Sequence, residues 1–130
     1  MSQIGGFYQS GDWKSEKHVP VIDCPASAKA DTPFDVTLSI GKEISHPNTT
    51  EHHIAWIKLY FKPDGDKFVY HVGTHDFTVH GESVAGANKG PAYTEPYGIT
   101  RMKINQSGTL IATSYCNIHG LWENTAKIKV

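Results

Sequence analysis

Apolar side chains recur at every second position through most of this chain, which is the period of a pleated strand with one buried face. Phe34, Val36, Leu38 and Ile40 alternate with Asp35, Thr37 and Ser39. In the run HIAWIKLYF, Ala55, Ile57, Leu59 and Phe61 share one face, and Ile54, Trp56, Lys58 and Tyr60 share the other. Shorter alternating runs lie at 68–72, 77–79, 102–104, 110–114 and 126–130. No window of eleven or more residues carries a helical stripe. Turn formers separate the runs, among them Pro63-Asp64-Gly65-Asp66, Gly81, the stretch 86–91, Pro96 and Ser107-Gly108. Seven short strands at this spacing predict an all-β fold, a seven-stranded immunoglobulin-like antiparallel β-sandwich. A length of 130 residues suits a single domain spanning 1–130. The first dozen residues and the stretch 85–96 read as exposed loops.

Charge and hydropathy exclude several classes of function. The formal net charge is −1 with histidine neutral, without the basic excess of a nucleic-acid binder. No apolar run approaches the length of a membrane span. The opening residues MSQIGGFYQSGDW lack the basic and apolar regions of a signal peptide, so a cytoplasmic protein is expected. Two cysteines are too few for a disulfide framework, and a reducing compartment keeps both as thiols. Histidine is the outlier, with eight residues where average usage gives about three. Its imidazole is both the commonest metal ligand and the acid–base group of neutral pH.

The candidate chemistry falls into three clusters at strand ends and loops, where a rigid sandwich can present ligands. SEKHVP carries Glu16, Lys17 and His18; SHPNTTEHH carries His46, His52 and His53; SYCNIHGLW carries Cys116 and His119. A Cys–His nucleophilic dyad needs a base in reach and an oxyanion hole, and proteases bring that histidine from a distant part of the chain. A histidine three residues from a cysteine instead suits two ligands of one ion held by a tight turn. One thiolate with several imidazoles favours Fe, Cu or Zn over Mg or Ca. A closed structural zinc site usually uses more than one cysteine. A blue-copper site would add an axial methionine after the late Cys and His, and no methionine follows Met102. Four histidines with one cysteine fit a square-pyramidal iron with its sixth position free.

The segments SGDWKSEKHVPVI, GKEISHPNTTEHHIAWIKLYF, FTVHGES and SYCNIHGLWEN together resemble the superoxide reductases, the neelaredoxin-like proteins that match the second domain of desulfoferrodoxin. The resemblance covers nearly the whole chain and implies a seven-stranded immunoglobulin-like sandwich. It implies reduction of superoxide to hydrogen peroxide, without release of dioxygen, at one mononuclear non-haem iron per chain. It implies His18, His46, His52 and His119 as equatorial ligands and Cys116 as the thiolate opposite the substrate. Glu16 then corresponds to the carboxylate of the sixth position and Lys17 to the cation beside it. Backbone N–H groups of Ile118 and His119 are the natural donors to the Cys116 sulfur. A rubredoxin-like electron donor and a homotetramer are the partners implied, with no nucleic acid and no membrane.

The remaining candidates read as structural. His53 has the parity of Ala55, Ile57, Leu59 and Phe61, which directs it to the core or to a backbone acceptor. His80 reads as structural or as a support to a ligand. His71 and His75 read as ordinary strand and loop residues. Cys24 reads as a small buried hydrophobe. Trp13, Trp56 and Trp122 read as core or rim packing, and the glycines of GESVAGANKGP as loop punctuation rather than a phosphate cradle.

Overall fold

The computed structural model describes residues 3–130; Met1 and Ser2, the start of the opening stretch read as an exposed loop, lie outside the described residues. Seven strands form: β1 (Val21–Asp23), β2 (Phe34–Ser39), β3 (Ile54–Pro63), β4 (Tyr70–Asp76), β5 (Tyr97–Met102), β6 (Gly108–Cys116) and β7 (Gly120–Ile128). They make a three-stranded sheet of order β1-β2-β5 and a four-stranded sheet of order β4-β3-β6-β7. Every strand pairing within the sheets is antiparallel. The only helical piece among the described residues is a 3-10 turn at Ile4–Phe7. No helix of the described residues is long and apolar enough to cross a membrane.

The two sheets face each other through the alternating apolar sets. Val36 and Leu38 of β2 meet Ile57 and Leu59 of β3 and Leu110 and Ala112 of β6, all fully buried. Each of the larger side chains contributes about 1.5–3 kcal/mol by leaving water. Against that store, a single unpaired buried polar atom costs about 1–3 kcal/mol, roughly one such side chain. The sandwich can therefore carry a few polar groups at its end, and it does so where β3 and β6 run out.

Alternation located β2, most of β3 and the middle of β6, and misplaced others. The run at 77–79 is not a strand, and that at 102–104 meets one only at Met102, the last residue of β5; Phe77 is buried beyond the end of β4, and Ile104 is buried in the loop after β5. β5 lies earlier because its apolar residues point outward: Tyr97 and Ile99 are exposed, while Gly98 and Thr100 face inward. Gly98 lies inward because the His75 ring covers it; a Cβ there would collide with the His75 Nδ1. β7 starts at Gly120, six residues before the alternation at 126–130 suggests. Strand β1, three residues long, was not among the alternating runs.

One irregularity positions the site. The β3–β6 register shifts between Ile54 and Trp56, so Ala55 is an extra residue in β3. A bulge of this kind reverses the alternation on its N-terminal side. Ile54, expected on the outer face, is buried at 3% and pairs with the fully buried Cys116. The parity that grouped His53 with the core set therefore does not extend past Ala55.

Candidate metal centre

Three loops at one end of the sandwich bring the predicted ligands together. The first runs from Asp12 to Pro20. The Asp12 carbonyl accepts hydrogen bonds from the N–H groups of Ser15 and Glu16, folding the chain into a turn. Val19 and Val21 are then buried, which anchors His18 beside the start of β1. The second loop, between β2 and β3, turns at Gly41, which has a φ of +87°. A Cβ there would sit 3.0 Å from the His46 amide nitrogen, so the close return of the chain toward His46 requires glycine. The third is the tight turn from β6 to β7. Cys116 pairs with Gly120, and Gly120 has a φ of +79° that strains any other residue. Asn117, Ile118 and His119 fill this turn, which places Cys116 and His119 at one point.

The donor atoms converge. His18 Nε2 lies 3.1 Å from His119 Nδ1. Cys116 Sγ lies 3.6 Å from His46 Nε2 and 3.8 Å from His119 Nδ1. The donor atoms of His18, His52, Cys116 and His119 all lie within 4.8 Å of one another. His46 falls outside that tightest set, although its ring centroid is 4.9 Å from that of His18 and 4.8 Å from that of His52. We include it on the contact of its Nε2 with the sulfur. Neighbouring nitrogens on one ion with bonds of about 2.0–2.1 Å stand about 3 Å apart, as His18 and His119 do.

Hydrogen bonds on the far side of two rings fix which nitrogen is bare. The Nδ1–H of His46 donates to the Pro47 carbonyl at 2.6 Å, because a carbonyl can only accept. The Nδ1–H of His18 donates to Glu16 Oε1 at 2.7 Å. Each ring therefore turns an Nε2 lone pair into the site, the tautomer a metal ligand needs. His52 Nε2 is buried and has no hydrogen-bond partner in the protein. Buried polar atoms rarely go unpaired, and a cation bound between the rings would satisfy this one. Cys116 is fully buried while His119 is exposed, so the sulfur lies on the protein side of the cluster and the imidazoles open toward solvent.

The electrostatics agree with neutral, metal-ready rings. Burial above all pushes the His46 pKa down from 6.5 to about 4, and the neighbouring His18, His52 and Lys17 add to the shift while the Pro47 carbonyl opposes it. Burial also lowers His52, with help from His119, His18 and Lys17. The bond to the His18 ring holds Glu16 below the usual carboxylate range. Between pH 6.5 and about 4 the unfolded chain binds a proton on His46 that the folded chain excludes. The metal-free protein should therefore lose stability as pH falls through that window. Thermal midpoints measured against pH check this, and His46→Gln should flatten the slope; an unaltered slope would remove His46 as its source.

Two supporting residues were missed in the sequence or underread. Trp122 stacks on the His18 ring at 4.8 Å and 14°, and its indole N–H donates to the His119 carbonyl at 3.2 Å. It packs, as expected, but against two candidate ligands. Asn117, inside the turn between Cys116 and His119, bonds across to the neighbouring loop. The His119 N–H donates to Cys116 Sγ at 3.3 Å, as expected; no such bond from Ile118 is present among the described residues. His53 does find a backbone acceptor, its Nδ1–H donating to the Thr49 carbonyl at 2.9 Å. It also stacks on the buried His80 with ring centroids 3.5 Å apart, so His80 supports the loop from behind. His71 and His75 both lie in β4, away from the cluster. Cys24 is only half-buried, although it packs against the core and burial raises its thiol pKa.

Comparison with known proteins gives one consistent answer. The profile of the family described as desulfoferrodoxin matches residues 10–125. The neelaredoxin of Megalodesulfovibrio gigas is 56% identical over 121 residues, covering 93% of each chain. The superoxide reductase of Pyrococcus furiosus is 54% identical over 121 residues, covering 93% of this chain and 95% of its own. Among solved structures, the superoxide reductase (neelaredoxin) of Archaeoglobus fulgidus in the reduced form is 52% identical. It superimposes with a TM-score of 0.87 over 95% of this chain and 98% of its own.

Proposed function

The chain belongs to the desulfoferrodoxin family and is an oxidoreductase with superoxide reductase activity, and on that premise we propose that one domain spanning 1–130 holds a single iron through His18, His46, His52, His119 and Cys116. The observation that carries the ligand set is the buried, partnerless Nε2 of His52 beside the inward-facing Nε2 atoms of His18 and His46. When bound, iron supplies the single electron that, with two protons, turns superoxide into hydrogen peroxide.

The chain's own residues then divide the work. Cys116 provides the one anionic donor from the buried side, and the His119 N–H on its sulfur moderates how much charge it gives up. With ferrous iron bound, four neutral imidazoles and one thiolate would leave the site with a net positive charge, which favours capture of an anion at the solvent side. Glu16 holds the Nδ1 proton of His18 and so raises the basicity of its Nε2. Lys17 follows Glu16, and its charge is close enough to His46, His52 and Glu16 to lower the pKa of all three. This supports Lys17 as the cation that draws superoxide to the open side. A rubredoxin-like one-electron donor resets the centre, and the functional assembly is a homotetramer, for which sedimentation of the iron-loaded protein is the check.

Metal analysis tests the function most simply: iron near one per chain together with peroxide formation supports it, and copper or zinc in its place sinks it. Lys17→Ala should slow superoxide capture about tenfold and flatten its dependence on ionic strength, with the visible spectrum intact. Pulse-generated superoxide read against salt is the measurement, and an unaltered salt slope would take Lys17 out of the mechanism. We also propose that Glu16 would leave the His18 ring and offer its carboxylate to the iron once the centre is oxidised. Glu16→Ala should leave capture within about twofold of wild type while altering the ferric spectrum and its pH dependence. An unchanged spectrum would show that Glu16 stays with His18.

A further inference from the structure

Asn117 lies in the turn between Cys116 and His119, yet its hydrogen bonds leave that turn. Its Oδ1 accepts the His53 N–H at 2.9 Å. Its Nδ2 donates to the Glu51 carbonyl at 2.9 Å. Its own backbone N–H donates to the His53 carbonyl at 3.2 Å. The three bonds bracket His52, whose neighbours on both sides are held while its ring stays free to face the cluster. The same side chain is bonded to one ligand-bearing loop and covalently part of another.

The rest of the His52 loop is tied internally rather than to the cysteine turn. Thr49 donates its N–H to the His52 carbonyl at 2.9 Å, and its hydroxyl oxygen accepts the His52 N–H at 3.0 Å. Asn88 secures the outer side, accepting the Thr50 N–H at 2.8 Å and donating to the Glu51 carboxylate at 2.8 and 3.0 Å. These bonds shape the loop but do not set its distance from Cys116. A ligand set drawn from separate loops holds its geometry only if the loops keep a fixed spacing.

We propose that Asn117 is a positioning residue that clasps the His52 loop to the Cys116–His119 turn and so fixes the spacing between an imidazole and the thiolate of one metal site. The inference rests on the ligand set above. A residue this exposed contributes little to the sandwich core, so its effect falls on the site.

Cobalt(II) is a suitable probe, because a thiolate-to-cobalt charge-transfer band reports the sulfur bond without any turnover. In chelator-competed titrations, Asn117→Ala should weaken Co2+ binding by roughly 10- to 100-fold and shift or weaken the band. Asn117→Asp keeps the acceptor for the His53 N–H and should recover part of the affinity. Asn88→Ala, which removes three side-chain bonds from the outer side of the same loop against two for Asn117→Ala, should bind Co2+ within about twofold of wild type. A merely structural role would lower the thermal midpoint of the metal-free protein and leave affinity and band alone. If Asn117→Ala and Asn117→Asp both match wild type in affinity and band, or if Asn88→Ala loses as much as Asn117→Ala, the clasp is wrong. A wild-type protein that binds Co2+ with no thiolate band overturns the ligand set and the clasp together, whereas a wild-type band unaffected by Asn117→Ala overturns the clasp alone.

Discussion

Replacing Cys116 with serine should remove the visible thiolate-to-ferric charge-transfer band and lower superoxide reduction by on the order of 100-fold or more, since loss of even an outer partner of a metal ligand typically costs 10- to 100-fold. The sulfur is the only anionic donor among the five proposed ligands, and it is fully buried. A serine hydroxyl stays protonated at neutral pH and gives the iron no comparable charge. The shorter C–O bond also draws the acceptor back from the His119 N–H, now 3.3 Å from sulfur. Absorption spectra and iron content measured on the same sample separate a lost ligand from a lost metal. A variant that keeps the band would show that the thiolate never binds iron.

His52→Ala should abolish most of the thermal stabilisation that metal loading gives the wild-type protein. In the metal-free chain the buried His52 Nε2 lacks a partner, which costs about 1–3 kcal/mol. Deleting the ring removes that cost while losing some packing, so the metal-free variant should melt close to wild type. The loaded proteins should differ. At a free metal concentration 100 times the dissociation constant, binding stabilises the fold by about 2.7 kcal/mol. For a domain of this size that is roughly 10 °C in the melting midpoint. A hundredfold loss of affinity brings the gain to a fraction of this. Scanning calorimetry with and without one equivalent of ferrous iron under anaerobic conditions gives the comparison. Equal gains in variant and wild type would mean that the orphaned nitrogen has nothing to do with metal.

The sandwich was legible in the sequence where strands bury one apolar face, as in β2, β3 and β6. It was not legible in β5, whose apolar Tyr97 and Ile99 face solvent because the His75 ring already fills the inner side at Gly98. Nor could alternation foresee the bulge at Ala55, which turns Ile54 inward and breaks the parity on which His53 was judged. The seven candidate site residues lie in one region because the three loops that carry them end on the same side of the sandwich, and the motifs named them. What no motif conveyed was the support. Trp122 and Asn117 act through contacts between residues distant in sequence, Trp122 on His18 and Asn117 on Glu51 and His53. Spacing along the chain carries no trace of such pairs. The Cys-x-x-His spacing was informative for the opposite reason, since the turn at Gly120 makes it a local geometry.

The most direct test of the proposed centre is a crystal structure of the iron-loaded protein that identifies every atom bonded to the metal. The expected result is one iron bonded to His18 Nε2, His46 Nε2, His52 Nε2, His119 Nδ1 and Cys116 Sγ, with Asn117 still bonded to Glu51 and His53. A metal closed by the four tightest donors, His18, His52, Cys116 and His119, with His46 held away, would contradict it and describe a structural site instead.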